Sequence, residues 1–147
     1  MIRKLIITGV AATVIAASAV PAMAGGIYID QSGWGNEVGG GQTGWNQHFS
    51  TKQTGWWNRA TSQQKGGNNV SAVGQQGNNN YGDVYQNGWN NQAGVGQFGN
   101  NHSAVVTQDG NGNITAGVQV GNGCNANVVQ GGVGNVTFSV TDKEMNK

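Results

Sequence analysis

A glutamine recurs every 11 residues along almost the whole chain: Gln31, Gln42, Gln53, Gln64, Gln75, Gln86, Gln97, Gln108, Gln119 and Gln130. Two residues after each stands a glycine: Gly33, Gly44, Gly55, Gly66, Gly77, Gly88, Gly99, Gly110, Gly121 and Gly132. The spacing has no insertion or deletion. A chain this regular is one supersecondary unit stacked on itself, so the period dictates the fold class.

With each glutamine as position 0, position 5 is Asn36, Asn58, Asn69, Asn80, Asn91, Asn113 and Asn135, with Gln47, His102 and Cys124 as exceptions. Position 7 is mostly small, and position 9 is Val73, Val84, Val95, Val106 or Val128 in half the units. Positions 5, 7, 9 and the next glutamine share parity, so in a strand they face the same way. That face carries no charge. Glu37, Arg59, Asp83, Lys52, His48, Tyr81 and Tyr85 have the opposite parity, and Lys65 and Asp109 lie beside the turn glycine. A slip of one residue would bury those charges, so the partition fixes the register.

Glycine supplies the positive φ of a tight reversal and asparagine tolerates it. Each unit therefore reads as a turn of the glycine plus two residues, followed by a strand of six or seven. The expected fold is all-β: a two-sheet β-solenoid of tandem 11-residue strand-turn units, two to a layer, with about five 22-residue layers. Layers about 4.8 Å apart make a stack roughly 24 Å tall. Glutamine and asparagine are expected to form vertical rows in which identical amides bond each other from layer to layer.

Four segments follow. Residues 1–24 read as a signal peptide, with Arg3 and Lys4 ahead of an apolar stretch and Ala22-Met23-Ala24 as the cleavage site, which makes the chain exported. Residues 25–30 form a short N-terminal segment, 31–141 the repeat solenoid and 142–147 a short polar tail. Without Arg3 and Lys4, five basic and six acidic residues remain, so neither nucleic acid nor membrane insertion is expected. Leu5 is the only leucine and Pro21 the only proline, which removes the usual material of amphipathic helices.

At this point the residues resemble a known family. The pattern Gln-x-Gly-x-x-Asn-x-Ala-x-x-x-Gln, clearest from Gln86 to Gln97 and close in Gln53 to Gln64 and Gln119 to Gln130, is similar to the curlin repeat of bacterial curli fibre subunits. The similarity runs from Gln31 to about Thr141. It implies an amyloid-forming subunit, secreted by a Gram-negative-type bacterium through an outer-membrane export channel. Such a subunit polymerises on the cell surface, beside a nucleator, into fibres of biofilm matrix and adhesion. The glutamines and asparagines above would be its self-assembly ladder and the glycines its turns. A minor nucleator subunit is the alternative within the family. The chain departs from the family in its equal turns and in its short glycine-rich segment before Gln31.

Other readings are weaker. A calcium-binding solenoid needs an aspartate in each turn, and only Asp109 stands beside a turn glycine. Six scattered acidic residues do not make a catalytic cleft, so no enzyme is expected, and neither is a cofactor or metal site. His102 and Cys124 face inward one layer apart, in an interior without room for substrate. Cys124, the only cysteine, should be buried and inert. Asn69-Val70-Ser71, Asn113-Ile114-Thr115 and Asn135-Val136-Thr137 match glycosylation acceptors as by-products of the repeat. Trp34, Trp45, Trp56 and Trp89 share position 3, with Trp57 adjacent. A soluble solenoid binding a ligand or carbohydrate on that tryptophan-rich edge is the remaining alternative.

Overall fold

A computed structural model describes residues 25–143; the expected signal peptide and the last four residues of the polar tail lie outside them. Eleven strands follow one another: β1 (Ile27–Trp34), β2 (Glu37–Trp45), β3 (His48–Trp56), β4 (Arg59–Gly67), β5 (Val70–Asn78), β6 (Tyr81–Trp89), β7 (Gln92–Asn100), β8 (Ser103–Asn111), β9 (Ile114–Asn122), β10 (Asn125–Val133) and β11 (Val136–Lys143). Odd strands form a six-stranded parallel sheet, β1-β3-β5-β7-β9-β11, and even strands a five-stranded one, β2-β4-β6-β8-β10. The fold is the expected two-sheet β-solenoid. Each residue pairs with the one 22 positions later, and glutamine meets glutamine, as in Gln31 with Gln53 and Gln64 with Gln86.

Strand lengths and boundaries differ from expectation. Most strands have nine residues rather than six or seven, because the parallel ladder runs on through the glycine at position 2. A strand therefore spans the end of one unit and the start of the next, and ten glutamine units make eleven strands. The half-unit before Gln31 is strand, Ile27 to Asp30 pairing with Phe49 to Lys52, rather than a separate segment. Asp142 and Lys143 likewise belong to β11, not to a tail.

The turn is made by two special positions. Position 2 is always glycine, with φ between 97° and 129°. A Cβ on Gly77 would collide with the carbonyl oxygen of Gly99 in the next layer, so the glycine is required for close approach as well as for φ. Position 4 is left-handed, with φ between 48° and 70°, and is Gly or Asn except at Trp57.

Between the sheets lie Val38, Phe49, Ala60, Val73, Val84, Ala93, Val95, Ala104 and Val106, with Ile29 and Val128 packed against them. All have the parity read from the sequence. The interior is also unusually polar for its size, since Gln53, Gln64, Gln86, Gln97 and Gln108 are essentially fully buried. Such burial is stable only where every amide is bonded.

Candidate self-assembly site

Two unbroken glutamine ladders run through the interior. In the six-stranded sheet Gln31 Nε2 donates to Gln53 Oε1 at 2.7 Å, and the same bond continues through Gln75 and Gln97 to Gln119. In the five-stranded sheet Gln42, Gln64, Gln86, Gln108 and Gln130 are linked at 2.8 Å. Every bond points the same way, from the Nε2 of the earlier layer to the Oε1 of the later. The second amide proton reaches across the core to a backbone carbonyl of the facing sheet, as from Gln53 to Glu37 O at 3.0 Å and from Gln86 to Val70 O at 3.0 Å. Neither the period nor the parity of the sequence signals this crossing bond. It always ends on position 6, whose side chain varies freely because only its carbonyl is used.

The position-5 residues do not form the expected amide-to-amide rows; they stitch the turns. Asn58, Asn80, Asn91 and Asn113 each donate their backbone N–H to the Oδ1 of the asparagine one layer earlier, at 3.0–3.1 Å. Their Nδ2 groups donate onward to the carbonyl of the position-2 glycine, as from Asn58 to Gly77 O at 2.7 Å and from Asn91 to Gly110 O at 2.8 Å. The physical reason is position. The residue follows the left-handed position 4 of the turn, so its amide stays at the corner among backbone groups, and Gln47 there bonds the same kind of carbonyl. Asn36 and Asn69 bond onward in the same way, to Gly55 and Gly88. Asn135 ends its column, its Nδ2 turned back to Asn113 Oδ1 and Gly131 O.

The three exceptions copy the asparagine to different extents. His102 places Nδ1 3.2 Å from the Cys124 N–H and Nε2 3.2 Å from Phe98 O, which sets the tautomer with the proton on Nε2. Gln47 donates to Thr43 O and Gly66 O, but its Oε1 is buried without a partner among the described residues. The Cys124 thiol, buried, approaches Val120 O at 3.3 Å and does not face the imidazole. The His102–Cys124 neighbourhood is thus two substitutions in one corner column.

The tryptophans do not make one edge. Successive units alternate between sheets, so position 3 alternates between the two corners. Trp34, Trp56 and Trp57 stand at one corner, Trp45 and Trp89 at the other, each more than half exposed. The rings of Trp57 and Trp89 lie where a side chain on Gly35 or Gly67 would stand. Outward charges pair one layer apart, Lys52 with Asp30 at 3.6 Å and Arg59 with Glu37 at 3.7 Å, and contribute little at such exposure.

Among the described residues no three His, Cys, Asp or Glu side chains gather as a metal site, and no helix is long and apolar enough to cross a membrane. What the geometry does present is a set of open edges. β1 and β2 at one end, β10 and β11 at the other, have one side unpaired among the described strands. No curated protein matches the chain. Residues 77–110 match the family model of the curlin associated repeat, and the same unit extends in unbroken register to either side of that match.

Proposed function

We propose that this chain is the structural subunit of a curli-type extracellular amyloid fibre, exported after cleavage behind Ala24, and that its activity is its own polymerisation. The observation that carries the reading is the pair of one-directional glutamine ladders, which open on acceptors at one end and donors at the other. An exposed parallel edge with an amide ladder in register is a template for the next identical edge. The similarity of residues 77–110 to the curlin associated repeat supports the same reading. The partners would be other copies of the chain, a nucleator and an outer-membrane export channel, and the product a surface fibre for biofilm matrix and adhesion. The net charge of −1 after cleavage favours the major subunit over the nucleator. The chain would have no catalytic role.

The test is release of the mature chain from denaturant, followed by thioflavin T fluorescence and fibre diffraction. Spontaneous growth, seeding by preformed fibres and reflections near 4.8 and 10 Å are expected. A chain that stays monomeric and folded would sink the reading. Replacing the edge glutamines Gln42 or Gln130 by alanine should slow elongation more than replacing central Gln86; equal slowing at all three would count against growth by end templating.

A further inference from the structure

The described strands number eleven, and an odd count leaves each end stepped. At the first end β1 stands half a layer beyond β2; at the last, β11 stands half a layer beyond β10, and β1 and β11 belong to the same sheet. A second copy stacked by pure translation would set its β1 on β11. The other sheet would then lack a strand at the junction, with β10 and the incoming β2 two spacings apart, about 9.6 Å, and both edges unpaired.

We infer that successive copies join head to tail with a half-turn about the fibre axis, so that β1 of the incoming copy seats on β10 and its β2 on β11. This rests on the polymer reading above and specifies its interface. The half-turn continues the alternation of strands between the sheets and leaves no gap in either.

Four features of the free ends fit this junction. Gln42 Oε1 is buried and has no partner among the described residues, although the same atom of Gln64, Gln86, Gln108 and Gln130 accepts a ladder bond. At the far end Thr141 occupies the glutamine register, paired with Gln119. In the rotated junction the Thr141 hydroxyl stands over Gln42 of the next copy and supplies the missing donor. On the other sheet Gln130, whose Nε2 now falls back on Thr137 Oγ1 at 2.8 Å, meets Gln31 of the next copy. Asn135, the last of its column, meets Asn36 and can accept its N–H. Ile27 has inward parity yet is 60% exposed in the single chain, and the junction sets it over Ala126. Translation instead sets Thr141 against Gln31 and leaves Gln42 a full layer short of any donor.

Cryo-electron microscopy of fibres grown from the mature chain reads the junction directly. Eleven strands at two per layer make 5.5 layers, so the half-turn predicts a rise of about 26 Å per subunit with a rotation near 180°. Translation needs six layers, a rise of about 29 Å and a rotation near zero, and that result would overturn the inference while leaving the fibre reading intact. Absence of any fibre would overturn both. A second measurement uses mixed single variants at outward positions. Val140→Cys should form a disulfide with Gly41→Cys, where a side chain meets open space, and not with Asp30→Cys. The reverse pattern would show the translated junction.

Discussion

The glutamine ladders and the asparagine columns are both stacked amides 22 residues apart, yet within the ten units one has no exception and the other three. The difference lies in what each amide bonds. A glutamine in the core is donor to one identical side chain, acceptor from another and donor across the interior to the facing backbone, as Gln86 is to Gln108, from Gln64 and to Val70 O. No other side chain of that length offers two donors and an acceptor in one plane. An asparagine at the corner serves backbone groups that make separate demands, one N–H to be accepted and one carbonyl to be bonded. His102 accepts the N–H but bonds Phe98 O in place of the glycine carbonyl, Gln47 meets only the second demand, and Cys124 offers a weak donor. Sequence tolerance follows the number of simultaneous constraints rather than burial, since Gln47 and His102 are as buried as any ladder glutamine.

The comparison breaks most completely at the glycine whose close approach sets the layer spacing that both systems share. The position-2 carbonyls accept the asparagine bonds, and their glycines lie in van der Waals contact with the next layer. Gly77→Ala places a Cβ against the Gly99 carbonyl at a backbone φ of 123° and should separate two layers. A loss of about 4 kcal/mol or more per subunit is expected, as for strain that the surroundings cannot relax. The guanidinium midpoint of the assembled material, followed by circular dichroism, measures it. Gly112→Asn, at the left-handed position 4, should change that midpoint little.

Next is Gln86→Ala, which leaves the Gln64 amide proton and Gln108 Oε1 without partners and takes from Val70 O its cross-core bond. Two unsatisfied buried groups and a cavity predict a loss of roughly 3 kcal/mol or more. Asn91→Ala removes the acceptor of the Asn113 N–H and the donor to Gly110 O, for about 2 kcal/mol. The sharper contrast is rescue by histidine. Asn91→His should recover about half of that loss, because His102 already accepts the following N–H in this geometry without bonding the glycine carbonyl, whereas Gln86→His should recover none. Equal rescue at both positions would mean that the two systems are governed by volume and not by bonding.

Much of this was legible in the chain itself. The 11-residue period gave the solenoid, and parity gave the inward face, because charges cannot be buried on the wrong side of a strand. The glutamine ladder followed from the same register. What period and parity do not encode is where a bond ends on backbone. The crossing bonds of Gln53 and Gln86 end on carbonyls of Glu37 and Val70, residues that share no side-chain chemistry. The left-handed position 4 left a visible trace, Gly or Asn in nine of ten units, but the glycine two residues earlier concealed it. Strand ends were displaced because a unit counted from its glutamine begins in mid-strand, which also hid the eleventh strand and the odd count that shapes the ends.

The smallest expected effect runs in the favourable direction. Gln47 occupies a corner slot with one methylene too many: its Nε2 reaches Thr43 O at 2.7 Å and Gly66 O at 3.0 Å, and its Oε1 is buried without a partner. In the four later units of that column an asparagine fills the slot, and Asn69 and Asn91 place their Oδ1 where the following backbone N–H donates to it. Gln47→Asn shortens the side chain to that reach, turning the oxygen onto the Asn69 N–H while keeping both donor bonds in range. One recovered hydrogen bond, less the contacts of the lost methylene, predicts a gain of about 0.5–1 kcal/mol. A raised guanidinium midpoint would confirm that the corner column is set by backbone satisfaction. A lowered one would show that glutamine is held there by packing against the first layer.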